Sequence, residues 1–235
     1  MMDNDASVTT RSGAIAIRQV TTIDECRVLD RLLTTVWGVT PPATVVDPET
    51  LRALSYSGNY VAAAYRGETM VGGTVSFVAP DHHLHSHVTG VLPQEQGRGV
   101  GLALKLEQRD WALRNKITSI QWTFDPMRIR NAYFNIQRLG GLATAYLPDF
   151  YGDMADELNA GTGPSDRLLV DWRIDTPRVR TALSHGLEPP RGRGIPVHDI
   201  QRLRDELQPA LHNGEVIAGV DVGGGYFLEG QSYED

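Results

Sequence analysis

The chain has 235 residues, 41% of them hydrophobic and 22% charged, which is ordinary globular usage and enough to bury a core. A formal net charge of −7 argues against a dedicated nucleic-acid binder, and the single cysteine, Cys26, excludes an intramolecular disulfide and a cysteine zinc framework. The polar start MMDNDASVTTRSG lacks the apolar run of a secretion signal, and no stretch reaches the roughly 18 apolar residues of a membrane span, so a cytoplasmic protein is expected.

Residues 1–13 are expected to be disordered. AIAIRQV (14–20) reads as a strand, and Thr22 or Asp24 can cap a helix over DECRVLDRLLTTVWG that Gly38 and Pro41 stop. Cys26, inside that amphipathic pattern, reads as a small core residue. DPETLRALSYSG (47–58) gives a second short helix. Residues 60–80 read as a hairpin turning at Arg66-Gly67-Glu68, and HHLHSHVTGVL alternates like a further strand. After a glycine-rich stretch, Leu102, Leu104, Leu106, Trp111 and Leu113 recur among charges at helical spacing. ITSIQWTF (117–124) is a strand, MRIRNAYFNIQRLGG a helix with a glycine stop, ATAYLPDFYG strand-like, and RLLVDWRI (167–174) a strand. Residues 176–196, rich in proline and glycine, read as a linker or loop. A helix over VHDIQRLRDELQPALHNG and a hairpin of EVIAGVDV and YFLEG around Gly223-Gly224-Gly225 complete the chain. This order fits a mixed α/β domain better than a doubly wound sheet.

The stretch GVLPQEQGRGVG (90–101) sets glycines directly before a helix. It lacks the Gly-Lys-[Ser/Thr] of a Walker loop, and Gly97, Gly99 and Gly101 are spaced G-x-G-x-G, unlike a dinucleotide fingerprint. Backbone N–H groups of such a turn, with a helix dipole behind them, form an anion seat, and Arg98 adds a mobile positive charge. A plain connector is the competing reading.

Gln96, Gly99 and Gly101 match the [Gln/Arg]-x-x-Gly-x-[Gly/Ala] signature of the GNAT superfamily of N-acetyltransferases, and Val91 and Pro93 lead into it. The element order over residues 14–174 resembles that superfamily too, and DPMRIRNAYFNIQRLG and YLPDFYG resemble a bacterial branch of predicted acetyltransferases. The resemblance implies a GNAT acyl-CoA N-acyltransferase fold, an α/β (α+β) mixed sheet with splayed central strands, over residues 14–175. Residues 176–235 would be a C-terminal extension. It also implies that acetyl-CoA is the cosubstrate. The backbone of Val91 and Leu92 would hold the acyl-CoA, with the Val91 N–H polarising the thioester carbonyl. Gln96 and the amides of Gly97, Arg98, Gly99, Val100, Gly101 and Leu102 would hold its phosphates. A fixed N–H aimed at a developing oxyanion is among the larger contributions to acyl transfer.

The family's second motif, N-x-x-A-x-x-x-Tyr-x-x-x-Gly, fits less well. With Gly140 and Ala132 aligned, Ile129 takes the asparagine place and Ile136 the tyrosine place. Asn131 and Tyr133 are the candidate substitutes for CoA binding, and Tyr133 for the acid that protonates the leaving thiolate, because it lies three residues before Ile136 on nearly the same helix face. Tyr146 and Tyr151 are other candidate acids, and half-buried packing is the competing reading for Tyr133.

In HHLHSH, the side chains of His83, His85 and His87 share one strand face. His85, six residues before Val91 where several family members carry a glutamate base, is the candidate general base. The run also reads as polar lining of a solvent-filled cleft, or more remotely as a metal site; no metal is expected. Arg128 or Arg130 could bind a carboxylate or phosphate, or simply belong to a solvated helix start. The expectation is an N-acetyltransferase in which an amine of a small molecule or peptide attacks directly in a ternary complex, with no nucleic-acid or membrane partner and a homodimer left open. Transfer of another acyl group, such as succinyl, to amino acids and a catalytically silent CoA-binding module are the alternatives.

Overall fold

The computed structural model describes residues 6–10, 13–40, 42–152, 164–191, 194–221 and 223–230. These fall into two units, one ending at Ile117 and one beginning at Thr118.

The first unit is an antiparallel meander of β1 (Ala6–Thr10), β2 (Gly13–Gln19), β3 (Val61–Arg66), β4 (Thr69–Val78) and β5 (Leu84–Val91). β1 corrects the expectation of disorder, since Ala6–Thr10 pairs along β2 from Ala6↔Ile17 to Thr10↔Gly13; residues 1–5 and 11–12 lie outside the described residues. Helix α1 (Ile23–Trp37) starts at Thr22, whose hydroxyl accepts from the Glu25 N–H (3.2 Å) while the Glu25 carboxylate accepts from the Thr22 N–H (2.9 Å). Such reciprocal capping contributes about 1 kcal/mol. Gly38, in the left-handed region, ends it, and Pro41 lies outside the described residues. Helix α2 (Pro48–Tyr56) is capped by Asp47. Both helices cover one sheet face, where Cys26, Leu29, Leu33, Leu51, Val61, Ala63, Val75 and Val88 form a core. Gly90 of β5 belongs to that face: a Cβ there would lie 2.7 Å from the Trp37 ring.

Helix α3 (Val100–Arg114) covers the other face. Its buried side differs from the leucine stripe read in the sequence. Leu104 and Trp111 are buried, but so are Lys105, Glu107 and Gln108, whereas Leu102, Leu106 and Leu113 are only half-buried. The i, i+3, i+4, i+7 stripe from Leu104 runs through Glu107, Gln108 and Trp111, and the other leucines flank it.

The second unit contains β6 (Ser119–Phe124), α4 (Ile129–Tyr133), β7 (Leu142–Leu147), β8 (Arg167–Arg173), α5 (Pro177–Ser184), β9 (Gly194–Pro196), α6 (Ile200–His212), β10 (Glu215–Val220) and β11 (Gly225–Gly230). Its strand order is β6-β8-β7-β10-β11-β9, every neighbour antiparallel. Trp172 packs edge-on against Trp122 with centroids 6.0 Å apart, and its indole N–H donates to the Leu139 carbonyl (2.7 Å). α4 runs into a π-helical turn, Phe134–Arg138, closed by the Leu139 N–H on the Phe134 carbonyl. The stretch read as a linker is structured at both ends: Thr176 caps α5 ahead of Pro177, and β9 pairs with β11. Residues 192–193, between them, lie outside the described residues.

Candidate active site

Strand β5 carries a bulge. From the hairpin tip its pairs run Val78↔Leu84, Phe77↔His85 and Ser76↔Ser86; beyond them they run Val75↔Val88, Thr74↔Thr89, Gly73↔Gly90 and Gly72↔Val91. One extra β5 residue, His87, therefore sits between Ser86 and Val88 with no opposite number. Two consequences follow. Ser86, Thr89 and Val91 share the α3 face with Gly72, Thr74 and Ser76, while His85, Val88 and Gly90 share the α1 face. His85 and the Val91 side chain thus lie on opposite faces, although period-two counting puts them together. Second, the Leu92 N–H donates to the Val71 carbonyl (3.0 Å), so the alternation of an antiparallel ladder turns the Val91 N–H away from β4. The Val91 carbonyl accepts from the Gln96 side-chain amide (3.2 Å). Gln96 therefore braces the strand end within the protein.

After Val91, Pro93–Glu95 makes one 3-10 turn, and Gly97 and Gly99 take φ of +74° and +87°. Only glycine adopts this left-handed region without strain. Gly99 is the N-cap of α3 and has no side chain to cap it. The first intrahelical bond is Ala103 N–H to the Gly99 carbonyl, and among the described residues the amides of Val100, Gly101 and Leu102 meet no acceptor. No heavy atom comes within 4 Å of a Cβ built at Gly97. An open patch offering only donors at the positive end of a helix dipole suits an anion such as a pyrophosphate. A Cβ on Gly101 would lie 3.8 Å from Val91 Cγ2, so this seat adjoins Val91. Arg98, read as a mobile charge, is tethered: its guanidinium lies 3.7 Å from Glu95, which Arg66 binds at 2.8 Å. The bond from Arg66, with the positive charges of Arg66 and Arg98, holds the Glu95 carboxyl below the usual range.

The histidine run separates. His83 precedes β5 and sits 2.5 Å from the Asp81 carboxylate. His85 and His87 stand side by side, 6.3 Å between centroids, beside Phe77 at 4.9 and 6.2 Å. Burial, then the charges of His87, His83 and Lys105, lowers the pKa of His85; burial alone lowers that of His87.

On the α3 face lies a buried polar cluster that sequence reading missed. Lys105 Nζ donates to Ser86 Oγ (2.9 Å) and to Gln108 Oε1 (3.1 Å). The Gln108 amide nitrogen lies 2.6 Å from Ser76 Oγ, 3.1 Å from Ser86 Oγ and 3.3 Å from Thr74 Oγ1. Thr74 and Thr89 share a further bond (2.8 Å). Burial pushes the Lys105 ammonium down to about 7. Its only sequence signal is a lysine and a glutamine three residues apart beside Leu104 and Trp111.

Asn131 and Tyr133 belong to the second unit. Asn131 is exposed on α4; Tyr133, its last residue, is half-buried, and its hydroxyl has no hydrogen-bond partner among the described residues. Ile136 is fully buried in the π turn. The change from α to π between Tyr133 and Ile136 alters the phase, so three residues no longer measure one helical turn. Tyr146 donates to Asp166 (2.6 Å), and burial together with that carboxylate raises its pKa, which makes it a poor acid. Tyr151 is half-exposed, 3.1 Å from Thr123 Oγ1. Arg128 lies 3.4 Å from Asp125, and Arg130 is exposed.

No protein-family model matches the sequence, and no curated protein matches it. Solved structures do match. The ribosomal-protein-S18-alanine N-acetyltransferase of Escherichia coli is 13% identical with a TM-score of 0.53, covering 69% of this chain and 95% of its own. A diaminobutyrate acetyltransferase of Paenibacillus lautus, in complex with L-2,4-diaminobutyric acid and coenzyme A, is 13% identical with a TM-score of 0.52 over 69% and 96%. A GNAT-family acetyltransferase of Streptococcus pneumoniae gives 13% identity and 0.52 over 67% and 98%. The chain has the mixed α/β fold of the GNAT acetyltransferases. No helix among the described residues is long and apolar enough to cross a membrane.

Proposed function

We propose that the protein is an acyl-CoA-dependent N-acetyltransferase acting on an amine of a small molecule or peptide. The observation that carries this is the uncapped start of α3, behind two left-handed glycines and next to the outward-turned N–H of Val91. Amides from Gly97 to Leu102 hold the diphosphate of the cosubstrate, and coenzyme A supplies the activated acyl thioester. The Val91 N–H donates to the thioester oxygen as negative charge develops there. His85, its pKa lowered by burial, takes a proton from the acceptor's ammonium, directly or through water, and the freed amine attacks the thioester carbon. By the family resemblance Tyr133, with its hydroxyl uncommitted, would be the acid that protonates the departing thiolate. The coenzyme A and diaminobutyrate bound to a protein of the same fold support both partner classes.

Gly101→Val tests the seat, because Gly101 has ordinary helical geometry and a side chain there brings no backbone strain. Calorimetry should lose coenzyme A binding; unchanged affinity in the folded variant overturns the assignment. Thiol release from acetyl-CoA and succinyl-CoA over an amine panel distinguishes the donors. The buried Ile136 at the family's tyrosine place favours a second reading, a CoA-binding module without turnover. Tight coenzyme A binding with no thiol release from any amine supports that one.

A further inference from the structure

A carboxylate stands at the entrance of the anion seat, where charge alone argues against one. Glu95 lies two residues before Gly97, so their Cα atoms are at most about 7.6 Å apart. Its side chain keeps only 10% of its surface exposed. Held below the usual carboxylate range, it is ionised throughout the neutral region. A negative charge this close opposes a diphosphate, and its low exposure leaves little solvent to screen it. What neutralises Glu95 therefore bears directly on how well the seat holds an anion.

The neutralising charge comes from 29 residues away in the chain. β3 and β4 close their hairpin at the pair Arg66↔Thr69. β5 runs beside β4 as far as Gly72↔Val91, and the Leu92 N–H then bonds the Val71 carbonyl. The chain beyond enters the 3-10 turn Pro93–Glu95, and there Arg66 donates to Glu95 Oε2 at 2.8 Å. Arg98, between the two left-handed glycines, lies 3.7 Å from the other carboxylate oxygen. Two guanidinium groups thus share one carboxylate, and the three side chains carry one net positive charge. The Arg66 side chain is 28% exposed and that of Arg98 53%, so Arg98 is the member that meets an arriving ligand. Without Arg66, Glu95 would cancel the charge of Arg98 and the group would be neutral.

We infer that Arg66 is a binding determinant of the coenzyme A seat: by pairing with Glu95 from the β3–β4 hairpin, it leaves the charge of Arg98 to the diphosphate. The inference rests on the proposed acyltransferase reading, since it needs that ligand in the seat. Arg66 acts through Glu95 and Arg98 and is a positioning residue. Its role predicts that affinity follows the net charge of the three residues, whichever of them is changed. A brace between hairpin and turn, with no electrostatic part, predicts that loss of Arg66 weakens binding whatever stands at position 95.

The test is a double-mutant cycle on the full chain, with coenzyme A affinity read by calorimetry at low salt. Arg66→Gln should weaken binding about tenfold, while Arg66→Lys, which keeps the charge, should stay within about threefold of the native protein. Glu95→Gln should bind at least as tightly as the native protein. Combining Arg66→Gln with Glu95→Gln restores the native net charge and should bring affinity back to within about threefold. Potassium chloride at about 1 M, where the screening length is about 3 Å, should shrink the Arg66→Gln deficit to about twofold. Unchanged affinity in Arg66→Gln overturns the inference, as does a double variant as weak as Arg66→Gln. Should Arg66→Gln not fold, Glu95→Gln still decides, because weaker binding there overturns the inference too. Absence of coenzyme A binding in the native protein is a different failure, which removes the seat and the acyltransferase reading with it.

Discussion

Burial first, and then electrostatic repulsion from His87, His83 and Lys105, disfavours an imidazolium at His85. Its folded pKa lies below the ordinary value of about 6.5, so the neutral ring predominates at pH 7. A general base needs that form, and kcat/KM should therefore be level above pH about 6.5 and fall with unit slope below the folded pKa. His85→Gln should lower kcat/KM by about a hundredfold and abolish the acid limb; an unchanged limb assigns it elsewhere. The stability effect has the same sign. The unfolded chain binds the proton more readily, so stability is complete above pH about 6.5 and declines as pH drops toward the folded pKa. The glycine turn before α3 was legible in the sequence because a left-handed cap before a helix has one natural residue. The relation of His85 to Val91 was not legible, because a bulge leaves no mark in an alternating pattern. Nor was the role of Gln96, which a motif match assigns to the ligand and which here grips the Val91 carbonyl.

Among the elements, β7, β8 and α6 are tied by one buried carboxylate. Asp166, just before β8 and with no exposed side-chain surface, accepts from Arg204 of α6 (2.5 and 2.9 Å), from Tyr146 of β7 (2.6 Å) and from the Asp149 N–H (2.9 Å). Burial raises its pKa, but these bonds outweigh it and the net shift is downward. Asp166→Asn should cost about 2–3 kcal/mol, read as a lower urea midpoint, because it leaves Arg204 without its counter-charge. The depressed carboxyl contributes stability above pH about 4 and loses it as pH falls through the folded value, so native and variant midpoints should converge in acid. None of this was visible in the sequence, where Asp166 stands between Ser165 and Arg167 and Arg204 is one of several charged residues of a helix. The helices with caps and the alternating strands were legible. α5 and β9 were hidden by the proline and glycine count of their segment, although Thr176-Pro177 is itself a helix start. The buried side of α3 was misread because charged and amide side chains normally point to water.

Over the whole molecule, the solved structures of this fold match about two-thirds of the chain and nearly all of their own, so the fold itself closes without the remainder. The sequence suggests a cut after residue 175, with 176–235 as an appendage. Within the second unit the contacts argue for interdependence. β10 pairs with β7 at Ile217↔Ala143, and Ile217, Val220 and Tyr226 are fully buried. The Arg178 guanidinium donates to the Gly140 carbonyl (3.2 Å) and to that of Ala218. Cutting at 175 would strip Arg204 from Asp166 and leave an unpaired charge in the interior, the most costly kind of loss. It would also bare β7 as an unprotected edge, a template for aggregation. Residues 1–175 alone should therefore yield aggregated protein, or protein without a cooperative thermal transition. Asp166→Leu in the truncated chain removes the stranded carboxylate and should recover part of the solubility but not the edge. A soluble 1–175 protein that unfolds cooperatively and keeps its coenzyme A affinity would instead make residues 176–235 a true appendage, as the sequence first suggests.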